Sequence, residues 1–115
     1  MINTLYLPEL REMLSETNVV ELQEFCEALH PARTAEFMEG LSADETWQVL
    51  LYAEAFTRAE IFRYLEDEKQ VEIISDQDRQ QIAELLAELA PDDRVDILPS
   101  IEQGIVDDLL PRLPA

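Results

Sequence analysis

The sequence predicts an all-α fold, a right-handed superhelix (α-solenoid) of about nine short helices with a repeat of ~12 residues. Apolar anchor residues recur every twelve positions and are interrupted only at Gln77. Each anchor except the last is followed eight and nine positions later by two more apolar residues, which is the length of one short helix and a turn. The chain has only two glycines and no alternating strand pattern. The anchors are Leu29, Leu41, Ala53, Leu65, Leu89, Ile101 and Leu113.

The first five helices are predicted near residues 5–14, 19–29, 31–40, 43–53 and 58–65. We expect residues 1–18 to form an N-terminal capping helix or docking arm, followed by a superhelical domain over 19–115. Pro31 suits the first turn of the third helix, where no backbone N–H is needed. Ser42 with Glu45 and Thr57 with Glu60 have capping-box spacing, so they predict the starts of the fourth and fifth helices.

The last four helices are predicted near residues 67–75, 77–89, 92–98 and 101–110. Asp76 is the predicted N-cap of the seventh helix, Pro91 suits the first turn of the eighth, and Ser100 with Gln103 has capping-box spacing for the ninth. Helices this short are marginal alone, so stacking must supply their stability. The repeat restarts at Leu113, and we therefore expect the chain to be a fragment of a longer protein.

Composition limits the partners of this chain. It has 115 residues, enough for one domain, and a net charge of −18 from 26 acidic and 8 basic residues. Nucleic acid is excluded as a direct partner and anionic membrane is disfavoured, because both need Lys and Arg. The longest apolar run, 49–53, is far shorter than the ~18 residues of a transmembrane helix, so no direct membrane insertion is expected.

Residues typical of catalytic sites are scarce. His30 is the single histidine, and its position before a helix start predicts a capping or surface role. Cys26 is the single cysteine and is predicted to be a buried, inert thiol, which fits a reducing cytosol. Phosphate loops, nucleophile elbows and EF-hand loops are missing from the sequence. We therefore predict a binding or regulatory module and not an enzyme.

One group of acids lies on a predicted helix. Asp92, Asp93 and Asp96 fall in the first turns of the helix that starts at Pro91, and Asp92 and Asp96 share one face. Such oxygen ligands suit hard cations such as Mg²⁺, but the acids also fit a solvated surface. The same spacing occurs in Glu12/Glu16, Glu68/Glu72 and Glu84/Glu88. The pattern alone leaves both interpretations open.

Four segments carry a family resemblance. Residues 29–36, 58–65, 81–89 and 90–98 read LHPARTAE, RAEIFRYL, QIAELLAEL and APDDRVDIL. In this order and spacing they resemble the cytosolic N-terminal domain of MgtE-type magnesium transporters, over about residues 19–115. The resemblance implies a superhelix of short helices, followed in the parent transporter by a pair of CBS domains and a dimeric transmembrane channel.

The resemblance also implies a function and a site. The expected function is a cytosolic Mg²⁺ sensor that closes against the CBS domains, of the same or a partner chain, and so gates uptake. Glu60, Asp92 and Asp96 match the acidic positions of the family that contact metal, and Asp93 is a less certain fourth. Glu60 also has the alternative role of capping-box acid. The resemblance implies that Mg²⁺ binds in acidic clefts between this domain and the CBS domains. If both domains must supply ligands, the isolated domain should bind Mg²⁺ weakly.

An alternative function belongs to a different class. The middle and C-terminal domains of the flagellar motor switch protein FliG are built from similar short helical repeats. That resemblance implies a metal-independent scaffold for protein interactions. The Asp-Asp-x-x-Asp block at 92–96 and the acidic balance favour the transporter domain.

Overall fold

The computed structural model describes residues 7–113, and every regular element within that range is helical. The helices are α1 Leu7–Glu16, α2 Val19–Ala28, α3 Pro31–Phe37, α4 Ala43–Leu50, α5 Ala55–Phe62, α6 Asp67–Asp76, α7 Arg79–Glu88, α8 Pro91–Ile97 and α9 Gln103–Leu109. Two 3₁₀ turns, Leu98–Ser100 and Leu110–Arg112, follow α8 and α9. The predicted all-α fold with about nine short helices is confirmed for this range. The parts of the predictions that fall on residues 1–6 and 114–115 lie outside the described residues.

Helices two positions apart in the chain stack on each other. One row contains α3, α5, α7 and α9, and a second row contains α2, α4, α6 and α8. Helix α1 packs against α2 and α4 at one end, and the whole measures 38 × 27 × 22 Å. Two rows of alternating helices are compatible with a solenoid built from one-helix units. The right-handed superhelical path stays a prediction.

The apolar anchors lie in the turns, immediately before the N-cap of the following helix. Leu41, Leu65 and Leu89 are at most 6% exposed and precede the N-caps at 42, 66 and 90. The N-caps at 30, 54, 78 and 102 stand at the same place in their own repeats. From Leu41 to Ile101 the apolar anchors therefore mark where a turn enters the core, whereas Leu29 is 40% exposed. The apolar residues eight and nine positions later supply most of the buried helix face.

Two of the predicted helix starts are correct in detail. The Glu45 backbone N–H donates to Ser42 Oγ at 3.1 Å, and the Ser42 N–H donates to Glu45 Oε1 at 3.0 Å. These two bonds are the predicted capping box of α4. His30 caps α3, because its Nδ1 accepts a hydrogen bond from the Ala32 N–H at 3.1 Å. Pro31 is the first residue of that helix, as predicted.

Three other predicted caps are wrong. Thr57 lies inside α5, which starts at Ala55 after an N-cap glutamate that makes no side-chain capping bond. Asp76 is the last residue of α6, and the N-cap of α7 is Asp78. Ser100 ends a 3₁₀ turn, and α9 begins after position 102. At 54 and 102 no side chain caps the helix, and α7 is capped by Asp78 instead of Asp76, so preference for Ser, Thr or Asp alone misplaced these three boundaries.

Cys26 is buried, as predicted. It is 1% exposed, and its Sγ lies 3.6 Å from the Val49 carbonyl oxygen, to which the thiol donates. Burial raises the pKa of the Cys26 thiol to about 12. The thiol is therefore neutral at physiological pH, and the thiolate needed for redox or metal chemistry is disfavoured.

Basic side chains from elsewhere in the chain satisfy the ends of several helices. Among the described residues, none of the helices α1 to α7 has a basic residue in its last turn. Lys69 of α6 donates to the carbonyl oxygens of Met38 and Glu39, both at 3.1 Å, just after α3. Arg58 of α5 does the same after α4. These cations complement the negative end of a helix dipole and tie neighbouring helices together.

Polar residues recur four positions after the N-cap. Arg58 Nε donates to the Leu50 carbonyl at 2.9 Å, and Gln70 Nε2 donates to the Phe62 carbonyl at 2.8 Å. Each bond spans eight residues, and the two lie one repeat apart. Thr46 holds the equivalent position in α4, where it is fully buried and its Oγ1 has no hydrogen-bond partner. A buried hydroxyl without a partner reduces stability.

We expect Thr46→Val to raise the free energy of unfolding by about 1 kcal/mol, because it removes an unsatisfied hydroxyl and keeps the branched shape. Urea denaturation followed by circular dichroism measures the change. Thr34→Val is the matched control, since Thr34 is equally buried but its Oγ1 contacts the His30 carbonyl at 3.5 Å. Equal stabilisation of both variants, or a loss in Thr46→Val, contradicts the prediction.

Candidate functional site

An acidic cleft lies between the start of α6, the length of α8 and the end of α5. It has a volume of about 270 Å³. Three carboxylates, one guanidinium, one amide and one hydroxyl line it together with apolar side chains. The residues that define the acidic cleft are Phe62, Arg63, Asp67, Gln70, Leu89, Asp93, Asp96, Ile97 and Ser100.

Packing of α6 against α8 forms the cleft. Pro91 fixes the start of α8. The first turn of this helix contains Asp92 and Asp93, whose negative charges suit the positive end of the helix dipole. Leu89 and Ile97, before and at the end of this helix, are buried in the core. The intervening Asp93 and Asp96 therefore line the cleft, where Asp67 of α6 also lies. Contacts between α6 and α8 thus bring together carboxylates from distant parts of the chain.

Arg63 provides the positive charge in this cleft. Its Nε lies 3.3 Å from Asp93 Oδ2, and its guanidinium carbon lies 5.4 Å from the Tyr64 ring centroid. The Arg63 and Asp93 side chains are 41% and 26% exposed, so solvent screens their ion pair. Asp67 and Asp96 make no ion pair among residues 7–113.

The structure separates the predicted site residues into two groups. Asp93 and Asp96 line the acidic cleft, whereas Asp92 is exposed on α8 and does not line it. Glu60 is half-buried in α5, also outside the cleft lining. Its alternative capping-box role is wrong, because Thr57 does not cap that helix. The assignment of Glu60, Asp92 and Asp96 as metal contacts stays a prediction.

The donor set in the cleft has the chemistry that hard cations prefer. Asp67, Asp93, Asp96 and Ser100 offer only oxygen atoms, and Mg²⁺ binds carboxylate oxygens while it keeps several waters. Among the described residues, no group of three or more His, Cys, Asp or Glu side chains is arranged closely enough to hold a metal ion. The cleft therefore offers oxygen donors of the kind that hard cations prefer, but within residues 7–113 they do not form a complete metal site.

A second acidic depression lies beside the start of α4. It has a volume of about 210 Å³ and includes Glu66, Glu68 and Glu72. Lys69 also lines it and already donates to two backbone carbonyls. Burial lowers the pKa of Lys69, and the nearby glutamates, Glu66 first, oppose this shift. The depression therefore has an internal cation with a structural role.

Sequence reasoning missed Arg63 and Asp67 as residues of the cleft. Asp67 was only the first residue of the predicted sixth helix at 67–75, and Arg63 fell inside the predicted fifth helix at 58–65. The structure ends α5 at Phe62, and Arg63 is its C-cap residue. A boundary set three residues earlier, as the twelve-residue repeat indicates, places Arg63 in the turn beside Asp67. The helix boundary given by the twelve-residue repeat is therefore the sequence signal that could have identified Arg63 and Asp67.

Stacked helices with carboxylates in a surface cleft define a helical interaction or regulatory domain. The chain belongs to the MgtE intracellular N domain family, whose family model matches residues 29–115. This match confirms the predicted family, which is a transporter family and not an enzyme family, and it favours the transporter domain over the scaffold. Comparison with curated proteins and with solved structures gave no match.

The family match has two consequences for location and extent. The chain is an intracellular domain of the MgtE transporter type, and no helix within residues 7–113 is long and apolar enough to cross a membrane. The match begins at Leu29, later than the predicted domain boundary at residue 19. Helices α1 and α2 precede it, yet both pack on the helices that follow.

Proposed function

We propose that this chain is the Mg²⁺-sensing regulatory domain of an MgtE-like magnesium channel, which gates Mg²⁺ uptake by closing against CBS domains. The observation that carries the proposal is the acidic wall of α8. Asp93 and Asp96 face a cleft and Asp92 lies exposed beside them, in a family of magnesium transporters. The net charge of −18 adds to the attraction for cations at this wall.

The mechanism is relief of repulsion between two acidic surfaces. The wall formed by Asp92, Asp93 and Asp96 repels an opposing acidic surface at low Mg²⁺, and the domains separate. Bound Mg²⁺ supplies positive charge and coordination between the surfaces, through carboxylates and water. The compact arrangement is then stabilised by the difference between the binding free energies of Mg²⁺ in the compact and in the open arrangement. CBS domains and a dimeric channel are the partners that this proposal requires.

Mg²⁺ is expected to stabilise the chain weakly, through Asp92 and Asp96. At ~10 mM Mg²⁺ and a dissociation constant of a few millimolar, we expect a gain of about 1 kcal/mol, or ~4 °C in Tm. Sodium chloride of matched ionic strength corrects for screening, and calcium tests ion selectivity. The shift is expected to disappear in Asp92→Asn/Asp96→Asn, because both carboxylates lose their charge.

The matched control variant is Glu12→Gln/Glu16→Gln. Both residues are exposed on α1 with the same four-residue spacing, and they lie outside the family match. This variant should keep the full Mg²⁺ shift, although it loses the same charge. An equal loss in both double variants means that Mg²⁺ acts on total charge, and this outcome contradicts the site at α8. The same melt with a CBS pair attached then tests closure.

A further inference from the structure

The last helix of the second row exposes apolar side chains at positions that are buried in earlier repeats. Five and eight positions after its N-cap, α4 has Trp47 and Leu50, which are both fully buried. The residues at these positions in α5 and α7 are at most 2% exposed, and in α6 only Val71 is partly exposed. Helix α8 has Val95 and Leu98 there, and Val95 is 67% exposed while Leu98 is partly buried.

Helices that come later in the chain cover this face in the earlier repeats. Trp47 of α4 donates its indole N–H to Gln81 of α7, and the guanidinium of Arg58 from α5 lies over its ring. Within residues 7–113, α8 is the last helix of its row and α9 is the last helix of the other row. The equivalent residues of α9, Asp107 and Leu110, are exposed as well. Helix α8 therefore presents the positions onto which helices pack elsewhere in this stack.

Negative charge surrounds these apolar side chains. We call Asp92, Val95 and Leu98 the end face, since spacings of three residues place them on one side of α8 and of the turn that continues it. Asp92 is exposed and makes no ion pair among the described residues. Residues 90–113 contain six carboxylates and only two arginines. A partner with basic side chains beside an apolar stripe therefore matches both the charge and the apolar surface of the end face.

A second copy of this chain matches the end face less well than a basic partner. Each copy has a net charge of −18, so two copies repel each other. Two end faces brought together would also place the carboxylates of both copies side by side. The charge of the chain thus selects an occupant of opposite sign.

We propose that the end face is a docking surface for a basic amphipathic helix. The apolar stripe of that helix covers Val95 and Leu98, and its lysine or arginine side chains pair with Asp92 and the neighbouring carboxylates. The end face is separate from the acidic cleft, because none of its three residues lines that cleft. Docking there needs no bound Mg²⁺, so this inference goes beyond the proposed function and does not depend on it.

The test measures how a fluorescent synthetic peptide binds to the 115-residue chain, by fluorescence anisotropy in EDTA and about 0.15 M salt. The peptide has about 18 residues, enough for a helix, with a leucine stripe flanked by lysines. One control peptide has the same composition without the stripe, and another has glutamates in place of the lysines. Val95→Ser alters the end face. Val20→Ser is the matched control, because Val20 is 63% exposed on α2, near the other end of the stack.

The unaltered chain and Val20→Ser are expected to bind the striped basic peptide with the same affinity. Val95→Ser is expected to bind it about three- to tenfold more weakly, because the apolar contact of the valine is lost. Both control peptides are expected to bind much more weakly than the striped basic peptide. Both protein variants should remain folded in far-ultraviolet circular dichroism, since each changes a mostly exposed side chain.

Four results overturn the proposal. Absence of saturable binding removes the docking surface, and equal binding of the striped and unstriped basic peptides means that net charge alone attracts them. Equal affinity of Val95→Ser and the unaltered chain places the peptide elsewhere on the surface. A dimer in light scattering that Val95→Ser abolishes assigns the end face to a second copy of the chain.

Discussion

Replacement of Trp47 by alanine is expected to lower the free energy of unfolding by about 4 kcal/mol. Trp47 is fully buried in α4 and is the largest side chain in the core. Its indole N–H donates to Gln81 Oε1 of α7 at 3.2 Å, and the Arg58 guanidinium carbon lies 5.8 Å from its ring centroid. One side chain therefore connects the two rows of helices.

The loss has three physical sources. Alanine leaves a cavity in a close-packed core, it removes the partner of the Gln81 oxygen, and it removes the aromatic face beside Arg58. Urea denaturation followed by far-ultraviolet circular dichroism is the suitable measurement, since tryptophan fluorescence is lost with the residue. Trp47→Phe keeps most of the volume and is expected to lose about half as much as Trp47→Ala. A loss below about 1 kcal/mol in Trp47→Ala contradicts the packing described for α4.

Replacement of Arg58 by alanine is expected to lower the free energy of unfolding by about 3 kcal/mol. Its guanidinium donates to the carbonyl oxygens of Leu50, Leu51 and Ala53 at 2.9, 3.3 and 3.0 Å. Burial lowers the pKa of Arg58 and Glu84 opposes this shift, but the group stays charged at any physiological pH. Without it, three carbonyls at the end of α4 lose a charged donor in a partly buried turn.

The arginine fork is what makes this contact specific. Arg58→Lys keeps the charge but offers a single nitrogen, so it is expected to recover less than half of the loss. Arg33→Ala is the control for removal of an exposed cation and is expected to change stability by under about 0.5 kcal/mol. The same urea denaturation compares all three variants. Full recovery by lysine means that charge alone, and not the three directed bonds, stabilises the turn.

The double variant Trp47→Ala/Arg58→Ala measures how strongly the Trp47 ring and the Arg58 guanidinium stabilise each other. Because the two side chains touch, their separate losses are not expected to add. A combined loss smaller than the sum measures the coupling between the ring and the guanidinium. Additive losses mean that Arg58 acts only through the carbonyls at the end of α4.

The helical fold was predictable because apolar periodicity dominates this sequence. The repeat predicted the helices and the buried positions, and the capping box at Ser42 supplied one exact boundary. Boundaries failed where residue preference was given more weight than the repeat. Position 54 is a glutamate that makes no capping bond, yet its distance from the preceding anchor makes it the N-cap of α5. In this chain, position within the repeat locates a helix start better than residue preference does.

The candidate site was less predictable than the fold. The sequence indicated Asp92 and Asp96 as a pair four positions apart on one helix face, with Asp93 beside them, but it did not show that Asp93 and Asp96, and not Asp92, line the cleft. The contributions of Arg63 and Asp67 depend on how α5, α6 and α8 come together, and periodicity contains no information on that contact. Glu60 was assigned from family resemblance, and Asp92 from the acidic pattern and the resemblance together; both lie outside the cleft lining, and the Mg²⁺ melt tests the role of Asp92.

The two-row stacking of helices restricts how this domain can change its length. Helices two apart share a row. An insertion or deletion that keeps every later helix in its own row therefore contains two repeats, about 24 residues. Loss or duplication of a single repeat moves each following helix, α8 included, into the opposite row. Relatives that differ by an internal helix pair can therefore keep the acidic wall of α8 in register with a partner, while those that differ by one helix cannot.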